Sequence, residues 1–266
     1  MLARVIVEPS PQPQALAQPR GFTVAKRHGE PNEDCWQHSR KGVGAVSDGA
    51  SVSFDSAAWA RILARRFAQR PHLDEGWLAE AIAAYAALHD RDSLPWMQQA
   101  AFDRGSFASL LGVTGCGGGR IAILAVGDSL AVLCDGDRVV GSFPYEMPEQ
   151  FDERPLLLST APVRNGFLDD PECRAGLCRE WDLGELQDPA LLLVTDALGR
   201  WILARRERKP SPIAQLRAIG SPRRFARLVE AERAAGRLRR DDTTLLAYWD
   251  CSAAKPGTNP MATRPC

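Results

Sequence analysis

Histidine is scarce in this chain, and neither sign of charge is in excess. There are 4 His among 266 residues, and 33 Lys and Arg face 33 Asp and Glu, so the basic surplus expected of a nucleic-acid binder is missing. No stretch approaches the roughly 18 uninterrupted apolar residues of a membrane-crossing helix. Residues 1–7 hold one basic residue and too short an apolar run for a secretory signal. The seven cysteines, Cys35, Cys116, Cys134, Cys173, Cys178, Cys251 and Cys266, form no CxxC pair and no His-Cys cluster at zinc spacing. Reduced thiols in a cytoplasm are therefore expected. Internal repeats and a Gly-x-Ser-x-Gly elbow are also missing, and no Cys-x5-Arg loop is expected.

What remains is an ordinary globular composition, 45% hydrophobic and 25% charged, in a length that closes a large core without disulfides. Four prolines between residues 8 and 20 deny that stretch ladder hydrogen bonds, so residues 1–20 read as an extended arm. Residues 252–266 read as a flexible tail, which leaves 21–251 as one domain. Inside it, short runs rich in Val, Ile and Leu predict strands over 43–47, 106–114, 120–126, 130–134, 191–195 and 243–249. Asp135-Gly136 predicts a tight hairpin, and Gly117 to Gly119 another. Helical periodicity covers 56–69 and 77–89, and a further set is expected over 200–208, 212–218 and 222–237. Strands and helices in separate blocks predict an α+β fold. Trp59, Trp77, Trp96, Trp181, Trp201 and Trp249 are expected to pack in or beside the core, and the arginine-rich helix faces to be solvated.

Acids recur where the strands stop. GVGAVSD ends at Asp48, IAILAVGD at Asp128 and LLLVTD at Asp196, while Asp241 and Asp242 stand immediately before TTLLAYW. One such aspartate is an ordinary turn former. Several converging on one sheet end would repel each other unless a divalent cation neutralised them. Magnesium and manganese favour such oxygen donors and lower the pKa of bound water, and phosphoester hydrolysis is the natural use. Asn32-Glu33-Asp34 adds two adjacent acids, which on a strand point to opposite faces.

In order, NEDCW, AVSDGAS, AVGDSLAV, LLLVTDAL and DDTTLLAYW resemble the motifs of the PP2C-type (PPM) protein phosphatases, in particular the compact bacterial branch, over roughly Gly21 to Trp249. The resemblance implies a four-layer α-β-β-α sandwich of two antiparallel sheets flanked by helices. It implies a signalling enzyme that hydrolyses phosphoserine or phosphothreonine with two Mn2+ or Mg2+ ions, a third being optional, and a water shared between ions as nucleophile. Carried over by motif, Asp48 would bridge two metals, Glu33 and the Gly49 carbonyl would serve the second, Asp196 and Asp241 the first, and Asp128 with Asp196 a third. Asp48, Asp196 and Asp241 are thus the catalytic candidates, with Asp34 and Asp242 in support behind them.

Three departures stand out. Asp48-Gly49 is followed by Ala50-Ser51-Val52 where the family has His-Gly-Gly, and Asp196 by Ala197 where it has glycine. The family's phosphate-gripping arginine has no clear equivalent before Asn32, which leaves Arg27 or His28 to substitute, or neither. Two alternatives therefore stand beside the phosphatase: a catalytically weak phosphoprotein-binding regulatory module, and a two-metal hydrolase of small phosphoesters. The implied partners are a phosphorylated protein and its cognate Ser/Thr kinase. Neither nucleic acid nor a membrane is expected, and the chain is expected to be a monomer.

Overall fold

The computed structural model describes residues 16, 18–249 and 251. Most of the proposed arm and the tail from residue 252 lie outside the described residues. In chain order, β1 (Arg20–Val24), β2 (Cys35–His38) and β3 (Gly44–Ser47) precede helices α1 (Ser56–Gln69), α2 (Glu75–Ala86) and α3 (Trp96–Arg104). Six strands follow: β4 (Phe107–Ala108), β5 (Leu110–Gly117), β6 (Arg120–Val126), β7 (Leu130–Asp135), β8 (Arg138–Phe143) and β9 (Leu158–Ser159). After α4 (Pro171–Gly176), β10 (Cys178–Asp182) and β11 (Pro189–Val194), helices α5 (Asp196–Arg205), α6 (Pro212–Arg217) and α7 (Pro222–Ala234) lead to β12 (Thr243–Trp249).

Two five-stranded sheets result, ordered β1-β12-β11-β7-β8 and β10-β6-β5-β3-β2, with β4 and β9 as a small separate pair. Every pairing is antiparallel. The central strands read as continuous apolar runs because both faces are covered. In β11, Leu191 and Leu193 pack between the sheets while Ala190, Leu192 and Val194 face α5, α6 and α7. In β12, Leu246 and Tyr248 point inward between the sheets, and Leu245 and Ala247 point to the helices. On the other sheet Leu111 and Val113 meet the inter-sheet core, and Leu110 meets α1 and α2 with Trp59, Phe67 and Trp77. Three apolar clusters thus separate four layers, helices, sheet, sheet, helices, as the α-β-β-α expectation requires.

The helices start at side-chain caps. Asp55 accepts the Ala58 N–H at the head of α1, and Asp74 accepts that of Trp77 at 2.7 Å on α2. Trp59, Trp77 and Trp201 are fully buried, and truncating any one to alanine should cost about 3–5 kcal/mol.

Several local expectations are corrected. The strand expected over 106–114 breaks at Ser109 into β4 and β5. The helix expected from residue 200 begins at Asp196, where Gly199 had weakened the helical signal. Helix α3, which has no buried residue, was not anticipated, and its Trp96 is 77% exposed rather than in the core.

Candidate functional site

The break at Ser109 and the end of β3 are two sides of one device. Asp48 donates its backbone N–H to Ser109 Oγ at 3.0 Å, and Ser109 donates its own N–H to the Asp48 carbonyl at 2.8 Å. Ser47 Oγ donates to the Ser109 carbonyl, and Ser109 and Ser129 share a hydroxyl hydrogen bond at 2.7 Å. The backbone of Asp48 is therefore locked to the segment that carries Asp128. Gly127 makes this possible: its φ is +102°, and a Cβ there would lie 2.6 Å from that of Ser109.

Asp196 opens α5, and its Oδ1 accepts the Ala197 N–H at 2.5 Å. Arg233, buried beneath the loop, donates to the Asp241 carbonyl and to Thr243 Oγ1, which holds the turn before β12. Asp242 turns away from its neighbour and accepts the backbone N–H groups of Lys26 and Glu33 at 2.6 and 2.7 Å. Thr195 Oγ1 donates to Asp34 Oδ2 at 3.0 Å, while Asp34 Oδ1 is buried with no hydrogen-bond partner among the described residues.

Asp48, Asp128, Asp196 and Asp241 line one cleft of about 320 Å3 together with Gly49 and Arg239. Burial first, then the charges of Asp34, Asp196, Asp128 and Asp241, hold Asp48 well above the usual carboxylate range. Burial also dominates at Asp34, where Asp242 and Asp196 add repulsion against hydrogen bonds from threonine hydroxyls. Asp196 is pushed up to about 7 by burial and by Asp128 and Asp241, with Arg239 and the Ala197 N–H working the other way. Asp128 is raised chiefly by burial.

Arg239 was not singled out from the sequence. Its guanidinium lies 3.4 Å from Asp196 Oδ2 and 3.2 Å from Asp241 Oδ2. It is the only cation lining the cleft among the described residues. Arg27 and His28, the residues expected to grip phosphate, do not line it: Arg27 is exposed and paired with Glu30, and His28 is exposed. Neither has a motif-like context that would betray this, because the course of their loop is set by Asp242 more than 200 residues away. Glu33 also stands apart. It accepts from Ser56 Oγ at 2.6 Å, from Ser51 Oγ, and from Lys26 Nζ at 2.9 Å. Burial pushes its carboxyl up, but these hydrogen bonds outweigh that and hold it below the ordinary value. Lys26 is raised, first by its hydrogen bond to Glu33.

The donor set suits hard divalent cations. The side-chain donors are four carboxyl groups and the Ser51 hydroxyl, the carboxyl groups outnumber the one arginine, and a buried Asp34 oxygen nearby is orphaned. Among the described residues, however, no three His, Cys, Asp or Glu groups close tightly enough to hold an ion as they stand. Among the described residues the cysteines offer little nucleophilic character, since burial raises the thiols of Cys35, Cys116, Cys134, Cys173 and Cys178. The spacing Cys173-x5-Arg179 does occur, but it runs from α4 into β10 rather than around a loop, and burial raises the Cys173 thiol. No helix among the described residues is long and apolar enough to cross a membrane.

No protein-family model and no curated protein matches the chain. Solved structures do. It is similar to a bacterial serine phosphatase at TM-score 0.55 and 14% identity, over 89% of this chain and 98% of that one. The Mycobacterium tuberculosis serine/threonine phosphatase PstP/Ppp matches at TM-score 0.53 and 14% identity, over 88% and 98%. The serine/threonine phosphatase Stp1 from Staphylococcus aureus matches at 0.51 and 14%, over 92% and 99%. Its two five-stranded antiparallel sheets between helical layers therefore give this chain the PP2C-like fold of the bacterial serine/threonine phosphatases.

Proposed function

We propose that the chain is a metal-dependent phosphatase acting on phosphoserine or phosphothreonine in proteins. The observation that carries this reading is the convergence of Asp48, Asp128, Asp196 and Asp241, from four separate strand ends, on one cleft. Asp48, Asp196 and Asp241 would hold two Mn2+ or Mg2+ ions, with the Gly49 carbonyl beside them and Asp128 available for a third. Bound there, such ions supply Lewis acidity toward phosphoryl oxygens and lower the pKa of coordinated water.

The chain's own residues do the rest. Ser109 fixes the backbone of Asp48, and the Ala197 N–H orients Asp196. Arg239 reaches the cleft with a planar guanidinium suited to two charge-assisted hydrogen bonds with a phosphoryl group. Glu33, engaged by Lys26, Ser51 and Ser56, would join a metal only by giving up some of those bonds. The substrate would be the product of a Ser/Thr kinase.

The test is hydrolysis of a phosphothreonine peptide by the purified full chain with added manganese. Activity should vanish with chelator and in Asp241→Asn, and calorimetry should show weakened manganese binding by that variant. Undiminished turnover under either change would refute the reading. A second reading, a phosphoprotein-binding module of weak turnover, is favoured by Arg27 and His28 lying outside the cleft. Turnover above about 1 per second, an ordinary enzyme rate, would exclude it.

A further inference from the structure

A larger hollow, of about 650 Å3, adjoins the acidic cleft, and the two share Ala50, Val52, Pro155 and Leu157 in their walls. Its character is the reverse of its neighbour's. Arg104, Arg154 and Arg164 line it, and no acidic residue does. The three come from separate elements: the last turn of α3, the segment before β9, and the 3-10 helix over Pro162–Asp169. All three are exposed, and among the described residues none has its guanidinium in an ion pair. The acid next to Arg104 in the chain, Asp103, is already held by Arg91 in a two-pronged pair.

Between the arginines the surface is apolar. Val52 is 97% and Leu156 52% exposed, and Phe107 and Phe167 form part of the wall. Side chains of this size stay exposed on a soluble surface at little cost when scattered, but here they are grouped in a concavity ringed by unpaired cations. Neutralising those cations takes anionic groups, and covering the apolar wall takes a hydrocarbon side chain.

We infer that this hollow is a docking site for the peptide segment flanking the phosphorylated residue, and that it selects segments carrying acidic side chains around an apolar anchor. The inference rests on the phosphatase reading for where the phosphorylated residue sits. The shared wall at Val52 and Leu157 lets one extended chain place its phosphate in the acidic cleft and its neighbours in the hollow. Charge complementarity selects the occupant: a basic segment would meet three arginines, whereas an acidic one meets no carboxylate until the cleft itself.

The experiment compares three phosphothreonine peptides of equal length with a common leucine, flanked by Glu, by Gln or by Lys. Binding is read by fluorescence anisotropy and turnover by phosphate release, in the full chain with manganese. The Glu-flanked peptide should bind about tenfold more tightly than the Lys-flanked one, with the difference in KM rather than kcat, and the gap should shrink at high salt. The double variant Arg154→Glu, Arg164→Glu should invert the order while leaving hydrolysis of a small aryl phosphate unchanged and its unfolding midpoint close to that of the wild type. Equal affinity for the three peptides, or a variant that weakens all three alike, would overturn the proposal. If no substrate is hydrolysed, the phosphatase reading fails, and the anisotropy order by itself still decides for or against the docking site.

Discussion

Arg239 and Asp196 meet at 3.4 Å across the mouth of the cleft, and the same guanidinium reaches Asp241 at 3.2 Å. One arginine, 57% exposed in its side chain, thereby bridges carboxylates that arrive from two different strands. It is the local counter-charge to a cluster of acids, and it competes for the same oxygens as any cation that enters.

Replacing Arg239 with alanine should therefore act in two opposite directions. Manganese affinity should rise, by up to about fivefold for an exposed pair, because a competing positive charge is gone. The KM for a phosphopeptide should rise by about tenfold, because the fork that meets phosphoryl oxygens is lost. Calorimetric titration reads the first and steady-state kinetics the second. Weaker manganese binding in Arg239→Ala would show that the arginine supports the ions instead of opposing them.

Asp196 makes the stability of the cation-free protein depend on pH. Its folded-state pKa is raised from 3.8 to about 7, so between those values the folded chain holds a proton that the unfolded chain has released. Stability from this group is thus greatest in acid and falls as pH rises through that window, with no further loss above it. Asp48 and Asp34, also raised, push in the same direction. With chelator present, the unfolding midpoint should drop between pH 5 and pH 7.5. Manganese should flatten that slope, and so should Asp196→Asn. A midpoint that climbs with pH in chelator would contradict the buried, uncompensated state of these acids.

Asp242 holds the loop that carries Lys26 and Glu33, through one hydrogen bond to each backbone N–H. It is buried at 3% exposure, and Asp242→Ala removes the acceptor of both donors. Hydrogen bonds to a charged group contribute about 1.5–3 kcal/mol each. A loss of about 3 kcal/mol, and a midpoint roughly 6–12 °C lower for a domain of this size, is the expected result in a thermal melt. A change below about 2 °C would mean that the loop is held by other contacts.

Much of the fold was legible because its signals are local. Apolar runs bounded by Gly and Asp mark β6, β7, β11 and β12, and helix α1 starts and ends where its periodicity does. The break at Ser109 was not legible, since SFASLLGVT is a plausible continuous strand and only its pairing with Asp48 interrupts it. Helix α3 was missed for a related reason: none of its residues is fully buried and Phe102 alone among its large apolar side chains packs against the core, so no apolar stripe announces it.

The sequence alone determined where the acids stand along the chain, each just beyond or before an apolar run, because strand ends and turns are written in neighbouring residues. Only the tertiary structure decided which of them share a cleft, and which cation faces them. Asp242 draws Lys26 and Glu33 together from more than 200 residues away, and the turn before β12 brings Arg239 to Asp196. The identity of the arginine at the site depends on sheet pairing and loop closure, which are long-range contacts that no local pattern encodes.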